Sequence, residues 1–194
     1  MNDHATIAHP RDERIGPGAL VLVVGPSGAG KDTLLGVAQG MLGGSDRIVF
    51  PRRIITRAAS AFENNEAISR ADFDGAVTAG HYALWWRAHD QGYGIGRAIE
   101  QDIAANRTVV VNTSRTIIGE ARQRYLRLAV VLITAPADVL AERLAARRRA
   151  SDGDLGGRLQ RASIAAEIKP DLVISNVGAV EDGARRLADF IAER

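Results

Sequence analysis

The run Leu20-Val21-Leu22-Val23-Val24-Gly25-Pro26-Ser27-Gly28-Ala29-Gly30-Lys31-Asp32-Thr33 decides the fold. Its first five residues are apolar and rich in β-branched side chains, the composition of a strand buried on both faces of a parallel sheet. They end in a Gly/Pro cluster, and a helix is expected from about Lys31 to Leu42, before Gly43-Gly44. Strand, glycine-rich turn and helix are the context in which G-x-x-x-x-G-K-[ST] is a phosphate-binding loop. Glycines let the backbone wrap, so that N–H groups point at anionic oxygens beside the positive end of a helix. Lys31 then reaches the β- and γ-phosphates of a nucleoside triphosphate. One letter departs from the pattern: Asp32 stands at the Ser/Thr position, and Thr33 follows it.

Outward from this run the chain alternates. Thr108-Val109-Val110-Val111 and Leu128-Ala129-Val130-Val131-Leu132-Ile133 read as buried strands, Asp171-Leu172-Val173-Ile174 as a shorter one, and Arg53-Ile54-Ile55-Thr56 as another. A helix follows Pro136, with Val139, Leu140 and Leu144 as its apolar positions. Near the C-terminus Val180, Ala184, Leu187, Ala188 and Ile191 mark one helical face. Alternating strands and helices predict an α/β fold with a parallel central sheet covered on both sides. Two stretches break the alternation. Residues 57–96 hold a helix start at Ser69-Arg70-Ala71-Asp72 and an aromatic patch. The other stretch, 143–161, holds six arginines around Ser151-Asp152-Gly153-Asp154. An acceptor flap (about 57–96) and a lid (about 148–157) are expected there, within one kinase domain spanning 19–194 and preceded by a loose tail, 1–18.

Composition excludes several classes. The 194 residues, 46% apolar and 25% charged, suit one globular domain. With a net charge of +2 there is little basis for nucleic-acid binding. The chain has no cysteine, which excludes disulfides and thiolate metal sites. No apolar run approaches the roughly 18–20 residues of a membrane span, and a cytoplasmic location is the expectation. Of 25 basic residues only Lys31 and Lys169 are lysines. The oligomeric state is left open, with a homodimer as one assembly available to the chain.

Asp32 carries a hard carboxylate oxygen that can hold Mg²⁺ directly or through water, with Thr33 supplying a hydroxyl. The alternative is a helix-capping role at the positive end of the helix dipole.

With loop, flap and lid in view, the chain resembles the guanylate-kinase-type enzymes. Thr56-Arg57 matches their Thr-Arg phosphate-binding pair, and Gly80 to His89 with Tyr93-Gly94 matches their G-x-F-x-E-W…H…Y-G segment. The departures are informative. Leu84 replaces the glutamate that reads guanine, and Arg53 replaces a serine. Asn112 stands where a strand-end aspartate is expected, and the stretch after Arg57 lacks E-x-x-G-x-x-Y. A site built to hydrogen-bond a base discriminates poorly once those polar groups are gone.

Four segments taken together resemble the ribose 1,5-bisphosphate phosphokinase family: Gly25 to Thr33, Arg53 to Arg57, Glu63-Asn64, and Val111-Asn112-Thr113-Ser114-Arg115. That resemblance implies transfer of the ATP γ-phosphate to the 1-phosphate of ribose 1,5-bisphosphate, with Mg²⁺, in phosphonate breakdown. It implies an acceptor site drawn from Arg53, Arg57, Glu63, Asn64, Tyr93, Asn112, Ser114 and Arg115. From the lid it implies Arg147 and Arg158 as cations for the triphosphate, acting with Lys31 and Arg57. Arg53 and Arg57, four apart at a strand end, fall on one side of a strand and suit bidentate phosphate binding. Asp32 and Asn112 together suggest a carboxylate moved from strand to loop. Two rivals stand beside this reading: a guanylate or other nucleoside monophosphate kinase, and a kinase-like interaction module without catalysis.

Overall fold

A computed structural model of the chain describes residues 14–57, 65–88, 90–147 and 168–194. The elements in chain order are β1 (Ile15–Val24), α1 (Lys31–Met41), β2 (Ile48–Val49), β3 (Arg53–Ile55), β4 (Asn65–Ala67), α2 (Arg70–Thr78), β5 (Tyr82–Ala88), β6 (Gln91–Gly96), α3 (Ala98–Ala104), β7 (Thr108–Asn112), α4 (Ile118–Arg124), β8 (Tyr125–Thr134), α5 (Ala137–Arg147), β9 (Leu172–Ser175) and α6 (Val180–Ala192). A 3-10 turn, Arg115–Ile117, leads into α4.

Five strands form a parallel sheet in the order β2-β7-β1-β8-β9. The strand before the phosphate loop, β1, is its centre, which explains why that strand is apolar on both faces. Leu20, Leu22 and Val24 join one core with Ile99, Ile103, Ile117 and Ile118 from α3, the 3-10 turn and α4. Val21 and Val23 join the other with Leu34 and Ala38 of α1, Leu140 of α5, and Ala184, Leu187 and Ile191 of α6. Each fully buried Val, Leu or Ile among them stabilises the fold by about 1.5–3 kcal/mol. The expected face of α6 is the one it buries.

Two expectations are corrected, and one strand is added that the sequence reading did not contain. β1 begins at Ile15, so the predicted tail boundary after residue 18 falls inside a strand. Gly16-Pro17-Gly18, assigned to that tail, lie within the strand, which passes through them at a register irregularity against β8, where proline is tolerated. Second, Arg53–Ile55 is not part of the parallel sheet. It pairs antiparallel with β6 and parallel with β4 in a separate four-stranded sheet, β4-β3-β6-β5. The added strand is β2, Ile48-Val49, whose two residues are too few to show a period.

The second sheet begins at Arg53, ahead of residue 57, and runs to Gly96. On one of its faces Phe73 of α2 stacks on Tyr82 of β5, ring centroids 5.1 Å apart. Tyr82 lies over Gly94, where an added Cβ would come within 2.6 Å of the ring. On the other, Tyr93 stacks on Trp86 at 5.2 Å, with the rings parallel to within 1°. Ser69 caps α2 by accepting from Asp72 N at 3.1 Å. The sheet is tied to the core by Arg124, which donates to the Ala83 carbonyl at 2.8 Å and pairs with Glu100 of α3.

Candidate active site

The phosphate loop closes the C-terminal end of β1, the edge at which parallel α/β sheets place their ligands. Gly25, Gly28 and Gly30 have positive φ. At Gly30 (φ 85°) an added Cβ would lie 2.3 Å from Asn176 Nδ2, so conformation and space both require glycine. Lys31 donates to the Gly25 and Pro26 carbonyls at 2.8 and 3.1 Å, which lays its ammonium across the loop. Asn176, buried just after β9, donates to the Ala29 carbonyl at 2.8 Å and pins the far side of the loop. Arg143 of α5 donates through Nη2 to the Asn176 carbonyl at 3.1 Å. Its Nη1 is buried with no hydrogen-bond partner among the described residues. Among the described residues this guanidinium, beside a phosphate loop, has no anionic partner.

Asp32 lies in the first turn of α1, and its carboxylate faces the mouth of the site with 43% of the side chain exposed. Asn112, the last residue of β7, donates to Asp32 Oδ1 at 2.6 Å. The Nη2 of Arg53 lies 3.5 Å from the same oxygen. Loop, β7 and second sheet therefore meet at one carboxylate. Arg53 is only 14% exposed; its Nε also donates to Asn65 Oδ1 at 3.2 Å, and its guanidinium lies 5.6 Å from the Tyr93 ring centre. A cavity of about 230 Å³ runs from this cluster between α1 and the second sheet, past Asn65 and Gly36 to Gln39 and Phe50. Cation, neutral donors and ring give this mouth the chemistry of an anion receptor, and Asp32 supplies the one carboxylate in it among the described residues.

The other predicted residues fall as follows. Arg57 is half-buried in the bend after β3. Thr56 before it accepts from Gly92 N at 2.8 Å and bonds Gln91, which ties β3 to β6. Thr33 is exposed beside Asp32. Ser114 caps the 3-10 turn by accepting from Thr116 N at 3.3 Å and from its hydroxyl at 3.0 Å, a structural use of that hydroxyl. Arg115 is half-buried and forms no ion pair or side-chain hydrogen bond with any described residue. Leu84 is fully buried in the core, so no group projects to a ligand from the position where guanine would be read. Glu63, Asn64, His89 and Arg158 lie outside the described residues; Arg147 ends α5, and its side chain lies outside them too.

Sequence reasoning missed three residues. Asn65 meets Arg53, one position beyond the predicted Glu63-Asn64 pair. Arg143 stands one turn before the chosen Arg147, inside the same arginine run. Asn176 carried one usable signal, its place at the C-terminal end of a parallel strand.

A phosphate loop at the end of a central parallel strand, faced by a second sheet that presents an arginine, defines a P-loop kinase of the guanylate-kinase-like fold. No protein-family model matches the chain. It is 52% identical over 191 residues to the ribose 1,5-bisphosphate phosphokinase PhnN of Rhodopseudomonas palustris, covering 98% of this chain and 96% of that one. It is 48% identical to the protein of the same name from Bradyrhizobium diazoefficiens over the same shares. The chain belongs to the ribose 1,5-bisphosphate phosphokinase family. Its fold is similar to that of a guanylate kinase from Anaplasma phagocytophilum (TM-score 0.65, 19% identity, 92% of this chain and 86% of that one). It also resembles a sugar kinase from Janibacter sp. HTCC2649 (TM-score 0.51, 14% identity, 91% and 95%).

Proposed function

We propose that the chain transfers the γ-phosphate of ATP to the 1-phosphate of ribose 1,5-bisphosphate, giving 5-phospho-α-D-ribose 1-diphosphate and ADP, as a step of phosphonate breakdown. The observation that carries this reading is Arg53, fixed at the mouth of the phosphate loop by Asn65, Tyr93 and Asp32. It stands where a base-reading serine is expected in a guanylate kinase.

An acceptor with a phosphate at each end needs cations at both ends of its pocket. Arg53, Arg57 and Arg115 supply them, and Arg fits phosphate bidentately. Asn112 lines the cavity; Tyr93 and Ser114 are assigned to the same acceptor site, and Glu63 and Asn64 belong to the same reading as partners for ribose hydroxyls. At the donor end the residues from Gly25 to Thr33 wrap the triphosphate. Lys31 exchanges the Gly25 and Pro26 carbonyls for phosphate oxygens. Arg143 Nη1 has an anion to meet there, and Arg147 and Arg158 are proposed for the same charge from the lid, 148–157.

The residues present fit Mg²⁺. Asp32 and Thr33 offer hard oxygens at an exposed position, and no group of three acidic, His or Cys side chains among the described residues forms a closed cage. Mg²⁺ suits one or two carboxylates completed by phosphates and water. When bound it neutralises charge on the β- and γ-oxygens. An oxygen of the acceptor's 1-phosphate forms the new bond to the γ-phosphorus as the bond to ADP breaks, and ADP leaves with the electron pair. That oxygen is already anionic at neutral pH, so positioning carries the rate and no general base is required. A cytoplasmic setting belongs to this reading. Among the described residues no helix is long and apolar enough to cross a membrane.

The test is ADP release by purified protein with ATP and Mg²⁺, offering ribose 1,5-bisphosphate and GMP separately. Turnover with the sugar bisphosphate alone is expected. Turnover with GMP alone would replace this reading by guanylate kinase, and none with either would favour an interaction module.

A further inference from the structure

Asp32 is a loop residue, Arg53 a residue of the second sheet, and the two are in contact. Donor and acceptor sites of a kinase are thus joined by one ion pair. Arg53 is the anchored partner: it is 14% exposed, and Asn65 and Tyr93 hold it through its Nε and its flat face. Asp32 is the accessible partner, 43% exposed at the mouth. The Asn112 amide donates to the oxygen that faces Arg53, which turns the carboxylate toward the guanidinium. An aspartate at position 112 would repel that carboxylate instead of holding it.

A phosphate arriving at Arg53 therefore meets a guanidinium whose Nη2 corner is occupied, and a second negative charge beside it. We propose that Asp32 couples the two substrates. It holds Arg53 while the donor site is empty, and gives it up when its carboxylate is drawn to the metal–nucleotide, so that the acceptor binds more tightly to the loaded enzyme. This rests on the acceptor assigned above and on Asp32 as the metal-side carboxylate. Asp32 thereby positions Arg53, and Asn112 positions Asp32. By linkage the acceptor must tighten metal–nucleotide binding by the same factor.

Calorimetry of ribose 1,5-bisphosphate binding reads this without turnover, in three arms: protein alone, protein with Mg²⁺, and protein with Mg²⁺ plus a non-hydrolysable ATP analogue. For the wild type the third arm is expected to bind at least about five-fold tighter than the first, the lower end of typical coupling. Asp32→Asn should bind the acceptor more tightly than wild type in the first arm and lose most of the gain in the third. Asn112→Ala, which frees the carboxylate without altering its charge, also removes a residue assigned to the acceptor pocket, so it is read by its ratio: the gain of the third arm over the first should shrink. Unfolding midpoints of both variants, read alongside, identify any loss of fold. Equal wild-type affinity in all arms, or a full gain retained by Asp32→Asn, overturns the coupling and leaves the acceptor assignment standing. No binding in any arm overturns both.

Discussion

At the residue scale, the exchange of carboxylate and amide between loop and strand is a contact. Asn112 Nδ2 and Asp32 Oδ1 are 2.6 Å apart, and residues this close do not act additively when changed. Asp32→Ser combined with Asn112→Asp returns the carboxylate to the strand. The double variant is expected to retain more kcat/KM than either single one, and losses that simply multiply would show that the two positions are independent. Arg57, half-buried after β3, is assigned to an acceptor phosphate. A hydrogen bond to a charged group is worth about 1.5–3 kcal/mol, so Arg57→Ala should lower kcat/KM for the acceptor by roughly 10- to 100-fold. Steady-state kinetics close to wild type would remove Arg57 from the site.

At the element scale, the second sheet brings Arg53, Asn65 and Tyr93 toward the loop, so what holds that sheet in place also holds the proposed acceptor site. Arg124 links α4, the β5 carbonyl of Ala83 and Glu100 of α3. Arg124 and Glu100 are 18% and 16% exposed, so little water is present to replace a lost partner. Arg124→Ala is expected to cost about 1–3 kcal/mol, with Arg97 still paired to Glu100 at 3.1 Å limiting the loss. Urea unfolding measures it, and a midpoint equal to wild type would count against the clamp. This sheet is also where sequence reading was weakest. Arg53-Ile54-Ile55 has the residues of a buried parallel strand but lies outside the parallel sheet, between β4 (parallel) and β6 (antiparallel), because three residues carry no mark of the neighbours they will pair with.

At the scale of the whole molecule, two cores flank one parallel sheet, and Tyr125 lies in the first of them at the start of β8. Burial pushes its phenol above the ordinary value of 10.0, and its hydroxyl has no partner among the described residues. Above that ordinary value the unfolded chain loses this proton while the folded one keeps it, so stability falls as pH rises. Tyr125→Phe is expected to abolish its part of that alkaline loss and to change stability at neutral pH by no more than about 1 kcal/mol in the favourable direction. Unfolding midpoints at neutral pH and near pH 11 test both signs. The sequence by itself determined the parallel sheet, the phosphate loop and the C-terminal helix. Their signals are local: a five-residue apolar run, glycines at fixed spacing before one of two lysines, and a 3.6-residue period over Val180–Ala192. Only the tertiary structure decided that Asp32, Arg53 and Asn112 share one oxygen, that Asn65 rather than its neighbours meets Arg53, and that Arg143 and Asn176 cover the loop. Those contacts join residues 12 to 147 positions apart, and their formation depends on how sheets and helices stack, which no spacing along the chain encodes.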